Sequence, residues 1–126
     1  MKTKNTLSFL IFFLLIVNSK NLNAQKLTVE LFNNTGMDLD SVQLDKQYIG
    51  YLPKDSSAVL ENYKEFKASG SWPLMKIWAV DDKGNKSHNL TECGTKAKVI
   101  KDGRHRIDIK VANPEFGNIL TLMLRD

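Results

Sequence analysis

Three side chains in one short stretch, His88, Glu92 and Cys93, are of the types that bind zinc. A catalytic zinc site needs three such ligands around one ion, with a position left open for water or substrate. The stretch from Lys86 to Glu92 reads as a strand, however, and four residues along a strand span about 13 Å. His88 and Glu92 therefore cannot share an ion, and no metal site is assigned. Cys93 is the single cysteine, so no intramolecular disulfide can form. It could serve as a nucleophile, with His88 or His105 as partner, or pair with a second chain; a lone cysteine reads more simply as a small buried apolar residue. Asp38, Asp40 and Asp45 invite a calcium reading, but their spacing lacks the glycine and closing glutamate of an EF-hand loop, so they read as a solvated turn. Trp78 could stack a sugar or a base; inside the apolar stretch from Leu74 to Val80 it reads as core. There is no Gly-x-Ser-x-Gly, no His-Glu-x-x-His and no glycine-rich phosphate loop, and two histidines are a thin supply for acid–base chemistry. No catalytic residue and no cofactor is assigned, and the chain is read as not an enzyme.

Charge offers more. Residues 95–111 alternate on both sides of a turn, and a three-residue hairpin loop ending in glycine at positive φ fits Lys101-Asp102-Gly103. That loop sets Ile100 opposite Arg104, Val99 opposite His105 and Ala97 opposite Ile107, whereas a two-residue loop would mix the faces. Ala97, Val99, Ile107, Ile109 and Val111 then share one side, with His105 as a partly buried structural member. The other side carries Lys96, Lys98, Arg104, Arg106 and Lys110, with Asp108 as its acid. Cations aligned in this way add their fields toward an anionic glycan or lipid, although lysines on an exposed strand also protect an edge from pairing.

The elements that must position this face begin with a leader. Lys2 and Lys4 precede an apolar run from Leu7 to Val17, followed by a polar stretch and Ala24. This is the pattern of a secretory signal peptide over residues 1–24, too short for the ~20 apolar residues of a membrane span. No lipobox cysteine follows. The expectation is an exported chain, periplasmic or extracellular, without stable membrane insertion after cleavage. Cleavage removes three lysines and no acid, so the formal charge falls from +4 to +1, with 15 Lys and Arg against 14 Asp and Glu. A near-neutral exported chain is not a nucleic-acid binder. Residues 25–126 suffice for one domain, which without a disulfide must be held by burial.

Alternation marks the strands. Leu27, Val29 and Leu31 share a face, and Asn33-Asn34-Thr35-Gly36 ends that strand. Val42 and Leu44 point inward on the next. Tyr48 to Leu52 leads into a turn at Pro53-Lys54-Asp55-Ser56, and residues 57–62 form a further strand. Residues 61–67 are irregular or strand, 74–80 form an interior strand, and 81–85 turn the chain into 86–92. The last strand, 118–124, offers Leu120, Leu122 and Leu124 to the core. Its other face, Ile119, Thr121 and Met123, also lacks polarity and needs cover, either from residues 61–72 folding back with Tyr63, Phe66 and Trp72 or from another chain, which would make it a partner surface. Seven or eight short strands predict an all-β fold, an antiparallel two-sheet sandwich.

With its exported leader, Asn33-Asn34-Thr35-Gly36, Asp40-Ser41-Val42, Leu52-Pro53-Lys54-Asp55-Ser56 and the strand from Gly103 to Val111, the chain resembles small exported bacterial proteins of uncharacterised function that have an immunoglobulin- or fibronectin-like β-sandwich. The resemblance spans most of the chain after the leader, implies an Ig-like sandwich and transfers no catalytic residues. The function expected is a non-catalytic binding or interaction module of the bacterial cell envelope, with an envelope protein or an anionic glycan or lipid as partner, acting as a monomer or weak homodimer. A secreted or periplasmic inhibitor or immunity-type protein is the alternative, and an enzyme built on Cys93 and a histidine is the third reading.

Overall fold

The computed structural model describes residues 26–89, 96–112 and 119–125. The expected leader, Glu92, Cys93 and most of the loop before the last strand lie outside them. Among the described residues the chain is all-β, with eleven strands and no helix. The strands are β1 (Leu27–Asn33), β2 (Leu39–Leu44), β3 (Gln47–Leu52), β4 (Ser57–Tyr63), β5 (Phe66–Ser69), β6 (Trp72–Pro73), β7 (Ile77–Val80), β8 (Lys86–His88), β9 (Lys98–Ile100), β10 (Gly103–Ala112) and β11 (Ile119–Arg125).

Eight of them make two four-stranded sheets, in the orders β11-β10-β1-β4 and β3-β2-β7-β8. We call these the first and second sheets. The short β5, β6 and β9 form a third sheet, in the order β6-β5-β9. The period-2 pattern decides which side of each large sheet is dry. Leu27, Val29, Leu31, Ile107, Ile109, Leu120 and Leu122 from the first sheet and Leu39, Val42, Leu44, Ile77 and Ala79 from the second are buried in one apolar cluster. This is the sandwich that the sequence predicts. Its strand order has a feature of its own: β1 runs parallel to β10, pairing Leu31 with Ile107, and antiparallel to β4. An immunoglobulin sandwich pairs its first two strands within one sheet; here β1 and β2 lie in different sheets.

The basic hairpin is the main correction. Gly103 does sit at φ +84, as the turn requires, and a Cβ there would come within 3.2 Å of His105 Nε2. The strands on either side of that turn, however, do not pair with each other. β9 pairs with β5 (Lys67 opposite Val99, Ala68 opposite Lys98), while β10 pairs with β1 on one edge and β11 on the other. A strand has two hydrogen-bonding edges, and both edges of β10 are taken. Central placement suits a strand whose Ile107, Asp108 and Ile109 are all fully buried, because its backbone needs partners on both sides.

Polar side chains tie the two large sheets together at their margins. Asn33, fully buried at the end of β1, donates from Nδ2 to the carbonyls of Met37 and Leu52, each at 2.9 Å, and its Oδ1 accepts from Thr35 N and Oγ1. Tyr63, at the end of β4, donates its hydroxyl to Asp45 Oδ2 at 2.7 Å, in the turn between β2 and β3. The segment from Tyr63 to Trp72 does fold back, with Tyr63 and Phe66 buried, but it docks at the outer edge of β11, where Leu124 N donates to Ser71 O at 2.8 Å and Asn89 bridges to Leu120. Trp72 remains 53% exposed.

Candidate functional site

The register of β10 decides which of the expected basic residues share a surface. Arg104, Arg106, Asp108 and Lys110 alternate with the buried isoleucines and therefore point outward from the first sheet. Lys98 belongs to β9 in the third sheet and Lys96 to the turn before it, so neither joins them. Their places are taken by neighbours on adjacent strands. On β1, Glu30 pairs with Arg106 and Phe32 with Asp108; on β11, Arg125 pairs with Arg106 and Met123 with Asp108.

Asp108 is the centre of this face. Its side chain is 1% exposed although it stands on the outward side of the sheet, because the arginines close over it. Arg106 donates from Nε to Oδ1 at 3.0 Å and Arg125 from Nε to Oδ2 at 2.8 Å. Such charge-assisted bonds offset the cost of burying a carboxylate. The Arg106 guanidinium also lies over the Phe32 ring, with its carbon 4.0 Å from the ring centroid, an attractive arrangement of cation and π face. Arg104 leans across to Glu30, with Nη2 3.3 Å from Oε2. Arg104 and Arg106 thus lean the same way, each reaching the residue two beyond its own partner on β1.

The geometry leaves the working ends of two arginines unspent. Arg106 and Arg125 are held through Nε, and among the described residues their terminal Nη groups have no hydrogen-bond partner. Both side chains are about half exposed, at 44% and 51%. Glu30, Asn34, Arg104, Arg106, Asp108 and Arg125 line an open depression of about 510 Å³. The chain has three arginines, and all three lie here, while its lysines are spread over the sequence. The distinction matters because a guanidinium presents a planar fork of donors that matches the oxygens of carboxylate or phosphate, whereas an ammonium acts as a point charge. Pinned through Nε, the two forks are already oriented, so less side-chain freedom is lost when an anion arrives.

Lys110 lies further along the face, its Nζ 3.7 Å from Met123 Sδ. Ile119, Thr121 and Met123 are half-buried on the same outward side. His105 is half-buried toward the core side, edge-on to Phe66 at 6.0 Å and with Nε2 3.0 Å from Asp102 O. The three acids considered for calcium are dispersed: Asp38 accepts from Lys54 N, Asp40 from Ser41 N, and Asp45 from Lys76 N and Tyr63. Of the zinc candidates, His88 is exposed on β8. Glu30, Phe32 and Arg125 are the members that the sequence reading leaves out. Continuing the alternation of Ile119, Thr121 and Met123 by one more step reaches Arg125 and places it on this face.

No protein-family model matches the chain, and no curated protein matches it. Among solved structures it is similar to the NMR structure of a protein from Eubacterium rectale, with a TM-score of 0.52 over 81% of this chain and 90% of that one at 14% identity. At this identity the likeness concerns the fold alone.

Proposed function

We propose that this chain is an exported, non-catalytic binding module of the bacterial cell envelope, and that it takes an anionic group, carboxylate or phosphate, in the cleft of Arg104, Arg106 and Arg125. The convergence of every arginine in the sequence on one open depression, with two guanidiniums anchored through Nε and their outer donors free, carries the reading. The leader pattern of residues 1–24 supports export. The acidic groups of envelope glycans and lipid headgroups share the required oxyanion chemistry.

The test uses the chain without residues 1–24 and three probes: vesicles of phosphatidylcholine alone, the same vesicles with phosphatidylglycerol, and alginate. Binding is expected to one or both anionic probes and to weaken as salt screens the charges. In Arg106→Lys/Arg125→Lys a cation stays beside Asp108 but the forks are gone, and affinity is expected to fall about tenfold, roughly the worth of one hydrogen bond to a charged group. Binding to neither anionic probe would sink the reading. Undiminished binding in the lysine variant would move the site elsewhere.

A further inference from the structure

The outward face of the second sheet has a different chemistry. Four residues stand side by side across its four strands: Tyr48 on β3 pairs with Gln43 on β2, Gln43 with Trp78 on β7, and Trp78 with His88 on β8. Their neighbours Leu44, Ile77, Ala79 and Ser87 are buried, so the row points outward. Trp78 was expected in the core and is instead half-buried on this face. Tyr48 is 70% exposed. Its ring lies along the strand over Gly50, where a Cβ would meet ring atom Cε1 at 3.6 Å, and Gly50 itself holds φ +90. The ring thus packs along the Gly50 backbone, whose positive φ is what calls for glycine there.

We infer that this row binds a neutral sugar chain laid across the strands, a second binding surface independent of the arginine cleft. The apolar C–H face of a pyranose ring stacks on an aromatic face, while its hydroxyls seek donors and acceptors at the sides. The row supplies both in alternation. Two inter-strand steps place Tyr48 and Trp78 roughly 10 Å apart, with the Gln43 amide between them and the His88 imidazole beyond. Gln43 Nε2 is fixed by the carbonyl of Asp45 at 3.1 Å, which leaves Oε1 as an acceptor, and among the described residues neither Trp78 Nε1 nor the His88 ring has a hydrogen-bond partner. Gln43, Trp78 and His88 help line an open depression of about 590 Å³.

The electrostatics favour a neutral occupant. The charged lining groups are Lys76 and Asp45, one of each sign, and the Asp45 oxygens already accept from Lys76 N and the Tyr63 hydroxyl. An anion has no fork to meet here, in contrast to the first sheet.

Trp72→Phe leaves Trp78 as the single tryptophan and serves as the parent for fluorescence titration. The probes are the hexasaccharides of β-1,4-glucose, α-1,4-glucose, β-1,4-xylose and β-1,4-N-acetylglucosamine. At least one is expected to shift Trp78 emission with saturation, and Gln43→Ala in the same parent to weaken it several-fold. In the parent sequence, Trp78→Ala is expected to weaken binding by calorimetry at least tenfold, and Arg125→Lys to leave it unchanged. No saturable response to any of the four overturns the inference, as does binding that Gln43→Ala leaves intact. Gln43→Ala also covers the case in which Trp78→Ala fails to fold. A dimer in sedimentation that Gln43→Ala splits would assign the face to a second copy of the chain and overturn the sugar reading.

Discussion

The two outward faces of the sandwich sit on sheets of the same size and pay for their exposure in opposite ways. On the first sheet, cations from β10 and β11 converge, and the face is stable because a carboxylate is buried beneath them. On the second, the row from Tyr48 to His88 carries no permanent charge and needs no buried counter-ion. Neither face has work to do in the core, so its residues are free to differ. What differs is the coupling of surface to stability: the arginine face cannot keep its cover and lose its charges without leaving Asp108 buried and unpaired, whereas the aromatic row can be trimmed almost freely.

The largest expected effect tests that asymmetry. Arg106→Met/Arg125→Met keeps side chains of similar length over Asp108 but leaves the covered carboxylate with neither partner, and removing the partners of a buried charge costs about 3–5 kcal/mol. Gln43→Ala/His88→Ala on the other face should cost within about 1 kcal/mol, as surface changes do. Urea denaturation of the two double variants measures the difference. Equal losses would break the comparison.

A second variant probes the seam between the sheets. Burial first, and then the hydrogen bond to Asp45, raises the Tyr63 phenol above its ordinary value of 10.0. As the pH rises, the unfolded chain therefore releases this proton before the folded chain does. The contribution of Tyr63 is whole below about pH 10 and is lost as the pH climbs toward the raised folded value. Tyr63→Phe should cost about 1 kcal/mol at neutral pH and should remove this group's share of the alkaline decline. Stability measured from pH 7 to 11 checks both. A decline as steep in the variant as in the parent would show that the seam does not couple the faces in this way.

Much of this was legible in the sequence where the signal is local. The inward faces of β1 and β2, the turns at Asn33 and Asp81, and the positive φ of Gly103 all follow from alternation and turn chemistry over a few residues. Pairing partners do not. Alternation on both sides of Gly103 is equally compatible with a hairpin and with a turn that hands the chain from the third sheet to the first, and only the competition for the edges of β10 separates them. Asp108 read as an acid on an exposed face because its burial depends on Arg125, which lies 17 residues away. Trp78 read as core because the stretch around it is apolar at nearly every position; Met75, Ile77 and Ala79 fill the interior and leave the tryptophan outside. The anionic site was therefore visible in part, through Arg104, Arg106 and Lys110, and of the aromatic row only Trp78 and His88 stood out, each for a different chemistry.

The smallest stability effect gives the sharpest reading of the arginine face. Arg104 stands apart from Asp108. Its side chain is 67% exposed, and its partner Glu30 lies 3.3 Å away at 24%. An ion pair this open is worth at most about 1 kcal/mol, because water and salt screen it and a long side chain must be held still. Arg104→Gln should therefore leave the urea midpoint nearly unchanged while removing one of the three cations that an incoming anion meets. Affinity for the anionic probes should fall several-fold and depend less on salt, and the fluorescence response of Trp78 to sugar should not change. A loss above about 1 kcal/mol would make Arg104 a structural partner of Glu30. Unchanged anion affinity would confine the site to Arg106 and Arg125, and a changed sugar response would mean that the two faces communicate through the core between them.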